Sequence, residues 1–385
     1  MDFELNEEQK EFQQLAADFA EKELAPFAGE WDEEKTFPVD TLRKAAELGF
    51  LGLYVPEKLQ GMGLSRLDSA IIFEEMAGGC VSTTAYMTIH NMVNWMVATF
   101  ASPALAETYC PKMCAGEILS SYCLTEPGSG SDAASLKTSA VAEGNDYYLS
   151  GEKAFISGAG ETGLLVVMAR TGGEGPKGIS AFLVDADSEG IEYGKNEHKM
   201  GWNSQPTKAV VFDQCRVPAA NMLGKPGEGF RIAMKALNGG RINIGTCSVG
   251  AAAAALRQTL AYTSTRKQFG KTLDSFQNTS FGLSDMLTGL TASRQMIRLA
   301  ASKLDAGHPD ADVYCAMAKM FATERCFAVI DQALQMHGGY GYIKEYPLER
   351  LLRDTRVHRI LEGTNEVMRL IISRKMIESH ALPVE

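Results

Sequence analysis

The sequence predicts a multi-domain α and β chain: a helical N-terminal domain, a middle antiparallel β domain and a helical C-terminal bundle. Three observations predict it. Apolar residues recur at helical spacing up to about residue 117; short β-prone runs divided by turn residues fill 120–212; helical periodicity returns after Gly229 and runs on. A chain of 385 residues has room for two or three units of ordinary size. The changes of texture divide it into 1–118, 119–228 and 229–385.

In the first segment, Asn6 with Gln9 forms a capping box ahead of Phe12, Leu15, Ala16 and Phe19. A second helix is predicted over 39–48, stopped by Gly49, and a loop carries Pro56, Gly61 and Gly63. Helices over 68–77 and 83–100 follow. The latter has so little charge that most of its surface should be buried. In the middle segment, 147–149, 164–169 and 179–184 read as strands, each bounded by a turn signal. In the last, Leu283, Leu287, Leu290, Ile297, Ala301 and Leu304 make one helix face. Val313, Met317, Met320, Phe327 and Leu334 make a second, and Val367, Leu370, Ile371 and Ile377 a third. Polar or glycine-bearing breaks at 270–275, 307–310 and 338–341 suit an antiparallel bundle.

Composition excludes several classes. A net charge of −11 argues against wholesale binding to nucleic acid or anionic membrane. No uncharged apolar run approaches the length of a membrane span. The eight cysteines have no repeated spacing, so they read as buried free thiols in a reducing compartment, and no metal site is expected. Met1-Asp2-Phe3-Glu4 is acidic and resembles neither a signal peptide nor a transit segment. The expectation is a cytoplasmic, bacterial-type chain, or a mitochondrial matrix protein if it is a processed eukaryotic form.

Gly128-Ser-Gly130-Ser-Asp-Ala133 matches the letters of a dinucleotide fingerprint, G-x-G-x-x-A. That motif needs a helix after it to hold the pyrophosphate. Here a strand and a turn at Glu143-Gly144-Asn145 follow, so the string is a strand-end turn or a ligand loop. His337, before Gly338-Gly339, belongs to a helix end. Glu362 lies in Leu361-Glu-Gly-Thr-Asn365, just ahead of a helix that Thr364 or Asn365 can cap. A carboxylate there is either an acid complementing the helix dipole or a group with close backbone access through Gly363.

Taken together, four strings resemble the acyl-CoA dehydrogenase family over nearly the whole chain. They are Tyr122-Cys-Leu-Thr-Glu-Pro-Gly-Ser-Gly-Ser-Asp132, Arg266-Lys-Gln-Phe-Gly270, Gln335-Met-His-Gly-Gly-Tyr-Gly341, and Arg353-Asp354 with Leu361-Glu-Gly-Thr364. Three more resemble the branch acting on isobutyryl-CoA: Gly201-Trp-Asn-Ser-Gln-Pro-Thr207, Leu237-Asn-Gly-Gly-Arg-Ile-Asn243, and the stretch from Arg356 to Arg369. One departure stands out, because many relatives have Trp where this chain has Phe155.

The resemblance implies a C-terminal four-helix bundle and a homotetramer, a dimer of dimers, with FAD at a subunit interface. It implies dehydrogenation of isobutyryl-CoA to methacryloyl-CoA in valine catabolism, with electron-transferring flavoprotein as acceptor. The alternatives are a 2-methylbutyryl or short straight-chain substrate, an acyl-CoA oxidase, or a non-enzymatic scaffold. By resemblance Glu362 is the catalytic base. The alternative family position for a base, just before Arg241, holds Gly240, which cannot take a proton. Tyr122, Cys123, Leu124, Thr125, Gly130 and Ser131 would run along the flavin, with Phe155, Ile156 and Ser157 as a second strand. Arg266 would pair with the pyrophosphate of a neighbouring subunit's FAD, and Phe269 would also contact the cofactor. Phe276, Gln277, Gln335, Met336, His337, Gly338 and Gly339 would hold its adenine end. Thr364, Asn365 and Glu366 would serve the ribityl or phosphate. Ser131, Asn238, Gly239, Gly240, Arg241, Gly363 and Arg374 would meet acyl-CoA. Gly239 and Gly240 would also leave a broad pocket beside the acyl α-carbon.

Overall fold

The computed structural model describes residues 4–380 and residue 382; Met1–Phe3 of the acidic N-terminal string lie outside the described residues. Helix α1 (Glu7–Phe19) starts at Asn6, whose side chain and that of Gln9 form the expected capping box. Then come α2 (Ala28–Glu34), α3 (Val39–Glu47), α4 (Arg66–Gly79), α5 (Val81–Phe100) and α6 (Pro103–Cys114). The fourth helix begins two residues earlier than its apolar pattern implies. Ser65 caps it and Asp68 completes a second capping box. The uncharged α5 is buried along most of its length, as its composition requires.

The middle region is one eight-stranded sheet of β1 (Ser120–Cys123), β2 (Ser139–Glu143), β3 (Asp146–Ser157), β4 (Leu164–Arg170), β5 (Ile179–Asp185), β6 (Ile191–Tyr193), β7 (Thr207–Pro218) and β8 (Met222–Leu223). Most pairings are antiparallel, but β1 and β2 pair with β4 in parallel, so the sheet is mixed. Local turn signals report hairpins and are silent about such long-range pairings, which is why alternation alone suggested a purely antiparallel domain. The 128–133 string leads into a single 3-10 turn (Ala133–Ser135) and then β2, with no helix for a pyrophosphate.

The C-terminal region holds α7 (Gly229–Thr265), a small hairpin of β9 (Lys267–Gln268) and β10 (Lys271–Thr272), α8 (Gln277–Asp305), α9 (Ala311–His337), α10 (Leu348–Arg356) and α11 (Asn365–Ser379). The bundle's core holds Leu290, Ile297 and Ala301 of the first predicted face, with Leu283 and Leu304 packed against it, and differs from the predicted faces elsewhere. Its buried surface on α9 includes Ala316, Ala318, Ala322, Cys326 and Ala333, small residues that let helices approach closely, beside the larger Tyr314 and Ile330. Leu287, Leu370 and Ile377, expected inside, are exposed. Amphipathic spacing marks an apolar face without saying what covers it. All eight cysteines are free and buried. No helix among the described residues is long and apolar enough to cross a membrane.

Candidate active site

Between α10 and α11 the chain makes a turn with unusual backbone. Thr364 caps α11 by accepting from the Val367 N–H at 3.3 Å. Just before it, Glu362 and Gly363 both take positive φ, 57° and 88°. For glutamate that conformation costs about 1–2 kcal/mol, and it persists where the surroundings over-determine it. Two cations hold the turn. Lys319 of α9 donates to the Gly363 carbonyl at 2.8 Å, and Arg241 of α7 makes a long 3.5 Å contact to the Glu362 carbonyl. The Glu362 N–H has no acceptor among the described residues.

The Glu362 carboxyl lies directly against α7. A Cβ at Gly240 would stand 2.3 Å from Glu362 Oε2. That oxygen is buried and has no hydrogen-bond partner. Burial pushes the carboxyl pKa up to about 7, against the opposing pull of Arg241 and Lys319. The Tyr122 hydroxyl is likewise buried and unpartnered, its pKa raised by burial and by the charge of Glu362. Tyr54 accepts from Asn243 Nδ2 at 3.0 Å, and the Arg66 guanidinium sits 3.7 Å above its ring. Arg66 Nη1 is a third buried polar atom without a partner, packed over Gly239, where a Cβ would come within 2.5 Å. Buried polar atoms are nearly always satisfied. Three orphans in one neighbourhood are the signature of a site that a ligand completes.

This geometry corrects one expectation. Gly239 and Gly240 do not leave an open pocket, since Arg66 and Glu362 occupy the space their side chains would fill. Arg241 also turns inward. It is buried and donates to Asn238 Oδ1 at 2.7 Å as well as approaching the turn, so its guanidinium is engaged within the chain.

A second constellation joins β1 to the bulge of β3. Ser121 Oγ donates to the Ser157 carbonyl at 2.7 Å, and the Ala154 N–H donates to the Thr125 carbonyl at 2.8 Å. Buried Lys153 ties the two strands, reaching the Leu124 carbonyl at 3.1 Å and Glu126 at 2.8 Å. Phe155 protrudes from the bulge with φ 58° and is 67% exposed. The side chains of Cys123, Leu124 and Ile156 point into cores, which leaves only their backbone edges for a ligand. Ser131 is exposed, and a Cβ at Gly130 would meet nothing within 4 Å.

A third constellation is a cavity of about 480 Å³ whose lining includes Tyr262, Arg266, Gln335, His337, Gly338 and Gly339. It brings together two strings some 70 residues apart in sequence. His337 stacks on Tyr262 with ring centroids 4.2 Å apart, and its Nε2 is buried and unpartnered. Met336 also lines the cavity. Phe276 meets Phe269 edge to face, 6.3 Å between centroids, and Gln277 begins α8.

Other expected site residues are placed differently. The Asn365 side chain is buried and committed to Lys319, Thr323 and Glu324, so it anchors the turn and is not free for a cofactor. The Thr364 hydroxyl is used as a cap, and Glu366 is exposed. Arg374 is exposed on α11, roughly 14 Å along the helix from Asn365 at 1.5 Å per residue. Tyr54, Arg66, Lys153 and Lys319 were not singled out from the sequence. Of the two lysines only Lys319 had a signal, as a lone cation in the apolar run 315–322.

Matches to the N-terminal, middle and C-terminal domains of acyl-CoA dehydrogenases cover residues 6–117, 121–215 and 227–377. The chain therefore belongs to the acyl-CoA dehydrogenase family. Over 374 residues it is 57% identical to the mitochondrial isobutyryl-CoA dehydrogenase of Bos taurus, covering 97% of this chain and 90% of that one. The corresponding protein of Dictyostelium discoideum is 55% identical over 373 residues, with the same shares. Among solved structures, butyryl-CoA dehydrogenase from Megasphaera elsdenii superimposes with a TM-score of 0.95 at 36% identity, covering 98% of this chain and 100% of that one.

Proposed function

We propose that this chain is an FAD-dependent acyl-CoA dehydrogenase that converts isobutyryl-CoA to methacryloyl-CoA, with Glu362 as the base. The observation that carries the reading is the Glu362 carboxyl: buried, unpartnered and held near pKa 7 on a strained turn. A base working at neutral pH is best matched by such a value. The α-proton of a thioester is weakly acidic, so charge developing on the carbonyl oxygen must be stabilised as the proton leaves. The free Glu362 N–H, beside its own carboxylate, is suited to that. Buried Tyr54 and Tyr122 face Glu362, and the burial that raises its pKa is the apolar setting such a base needs.

The residues present fit FAD, which when bound accepts the hydride from the β-carbon. The unpartnered His337 Nε2, the cavity beside Arg266 and the open backbone at Gly130 and Gly338–Gly339 suit its adenine and phosphate portions. Exposed Phe155 and the linked backbones of Thr125 and Ser157 suit its ring. We further propose segments 1–118, 119–228 and 229–385 as the domains, a homotetramer, and electron-transferring flavoprotein as acceptor. Exposed Phe281, Leu287, Leu370 and Ile377 support a surface covered by other copies. Identity to relatives called mitochondrial, together with eight free thiols, supports a reducing compartment such as the matrix or a bacterial cytoplasm.

The test is kcat/KM for isobutyryl-, 2-methylbutyryl-, butyryl- and hexanoyl-CoA with one dye acceptor. Isobutyryl-CoA is expected to lead. A lead for 2-methylbutyryl-CoA changes the named substrate, and a lead for hexanoyl-CoA ends the branched-chain reading.

A further inference from the structure

Lys319 lies in the middle of α9, inside the apolar run 315–322, and its side chain is fully buried. Burying an ammonium is costly unless it is paired and hydrogen-bonded. Among the described residues no carboxylate lies within ion-pair distance of it. Its two recorded bonds go to the Gly363 carbonyl at 2.8 Å and to Asn365 Oδ1 at 3.0 Å. The Asn365 amide in turn donates to Thr323 Oγ1 at 3.0 Å and to Glu324 at 3.2 Å, one turn further along the same helix. The peptide that follows Gly363 and the first residue of α11 are thus bolted to α9 from beneath. Both residues of the strained pair, Glu362 and Gly363, sit directly above that bolt.

The electrostatic surroundings are limited in number. Glu362 is faced by Arg241 from α7, Lys319 from α9, Tyr122 from β1 and Tyr54 from the loop after α3. Lys319 is faced by Glu362 and Arg241, by Glu324 on its own helix, by Glu366 on α11, and by His358 from the turn after α10. Burial lowers the Lys319 pKa, and the Glu362 charge raises it again. Each group favours the charged form of the other.

We propose that Lys319 is a positioning residue for proton abstraction: its grip on Gly363 and Asn365 fixes the turn that carries Glu362, and its charge favours the ionised, proton-accepting form of that carboxylate. The proposal rests on the reading of Glu362 as the base. Two contributions follow from one side chain and separate experimentally. The grip affects kcat at every pH, because a misplaced base reaches the α-carbon poorly. The charge affects the pH at which the base becomes competent.

The test uses flavin-loaded Lys319→Met, Lys319→Gln and Lys319→Arg proteins, with Glu362→Gln as a control, and reads kcat/KM against pH with isobutyryl-CoA. The two neutral variants are expected to move the acid limb to higher pH by about one unit, in the range for loss of a nearby opposite charge. Lys319→Arg, which keeps the charge, is expected to leave the limb within about 0.3 unit of wild type, well below that range. Asn365→Ala keeps the charge but loosens the grip, so it lowers kcat with the limb in place. An unmoved limb in both neutral variants overturns the electrostatic half, and unchanged kcat in Asn365→Ala overturns the grip. Should neither neutral variant hold flavin, Asn365→Ala and Lys319→Arg decide alone: normal kcat in the first or a displaced limb in the second overturns the proposal. Substantial turnover in Glu362→Gln instead marks failure of the base assignment itself, whatever the Lys319 variants do.

Discussion

Two turns in this molecule share one backbone and end in opposite surroundings. Glu362-Gly363 has φ of 57° and 88°, and Phe269-Gly270 has φ of 51° and 80°. Each places a side chain that resists the left-handed region before a glycine that accepts it. The first is buried between α7 and α9, its carbonyls held by Arg241 and Lys319. The second is the tip of the β9–β10 hairpin, where Phe269 is 94% exposed and a Cβ at Gly270 would meet nothing within 4 Å. One strained turn is over-determined by its own chain. The other aims an aromatic ring at solvent, which makes sense if a second molecule covers it. The comparison teaches that the same backbone strain can be held from within by the chain's own cations or left to whatever covers an exposed tip.

The sharpest way to break this contrast is at the buried turn. Glu362→Gln keeps the shape and removes the base, so turnover should fall by at least about 100-fold while flavin content and fold persist. Wild-type kcat/KM should rise with pH through about 7, where Glu362 loses its proton. A stopped-flow reduction assay across pH 5.5–9, a range of roughly two units about that value, reads both. At the exposed turn the matching change is Arg266→Ala, beside the cavity shared with His337. Losing a charge-assisted contact of about 1.5–3 kcal/mol should weaken FAD retention about 10- to 100-fold, measured by flavin release on dialysis. Full retention would remove the exposed turn from the cofactor site.

Smaller effects separate the two glycines. Gly363→Ala adds a Cβ 2.7 Å from Met368 Cε in a left-handed residue, so it should cost about 2–3 kcal/mol and depress activity. Gly270→Ala meets only the backbone penalty, about 1 kcal/mol, and should leave proton abstraction unaffected. Chemical denaturation of both variants checks the difference. The last expected effect is a gain. Glu362 has a raised pKa in the folded chain, about 7 against an ordinary 4.5. The folded state therefore holds the proton more tightly, and stability falls as pH rises from 4.5 to 7. Glu362→Gln escapes that loss, so at pH 8 it should be more stable than wild type by about 1–3 kcal/mol. At pH 4 the difference should vanish. Equal melting temperatures at pH 8 would show the carboxyl to be better solvated than its surroundings imply.

What could be read from the sequence depended on whether a residue's local string carried its own explanation. The capping box at Asn6, the turn at 143–145 and the breaks between bundle helices are local, and they fold as their residue types dictate. The parallel pairing of β1 with β4 joins strands about 40 residues apart and has no local signal. The same divide runs through the site. Glu362, Arg266 and the 335–339 string could be put forward because each stands in a recognisable string. Tyr54 and Arg66 were not, because an aromatic before a loop and an arginine at a helix start look ordinary until folding stacks them 3.7 Å apart.

By itself, then, the sequence determined the three textures, their order and the carboxylate we propose as the base, because periodicity, capping and short motifs act over a few residues. Only the tertiary structure decided that Gly240 makes way for that carboxylate, that Lys319 and Arg241 hold its turn, and that Asn365 is an anchor instead of a cofactor ligand. Those outcomes depend on helices 40 to 120 residues apart meeting at van der Waals distance. A charge's consequence is set by what surrounds it after water has been removed, and no window of sequence contains that environment.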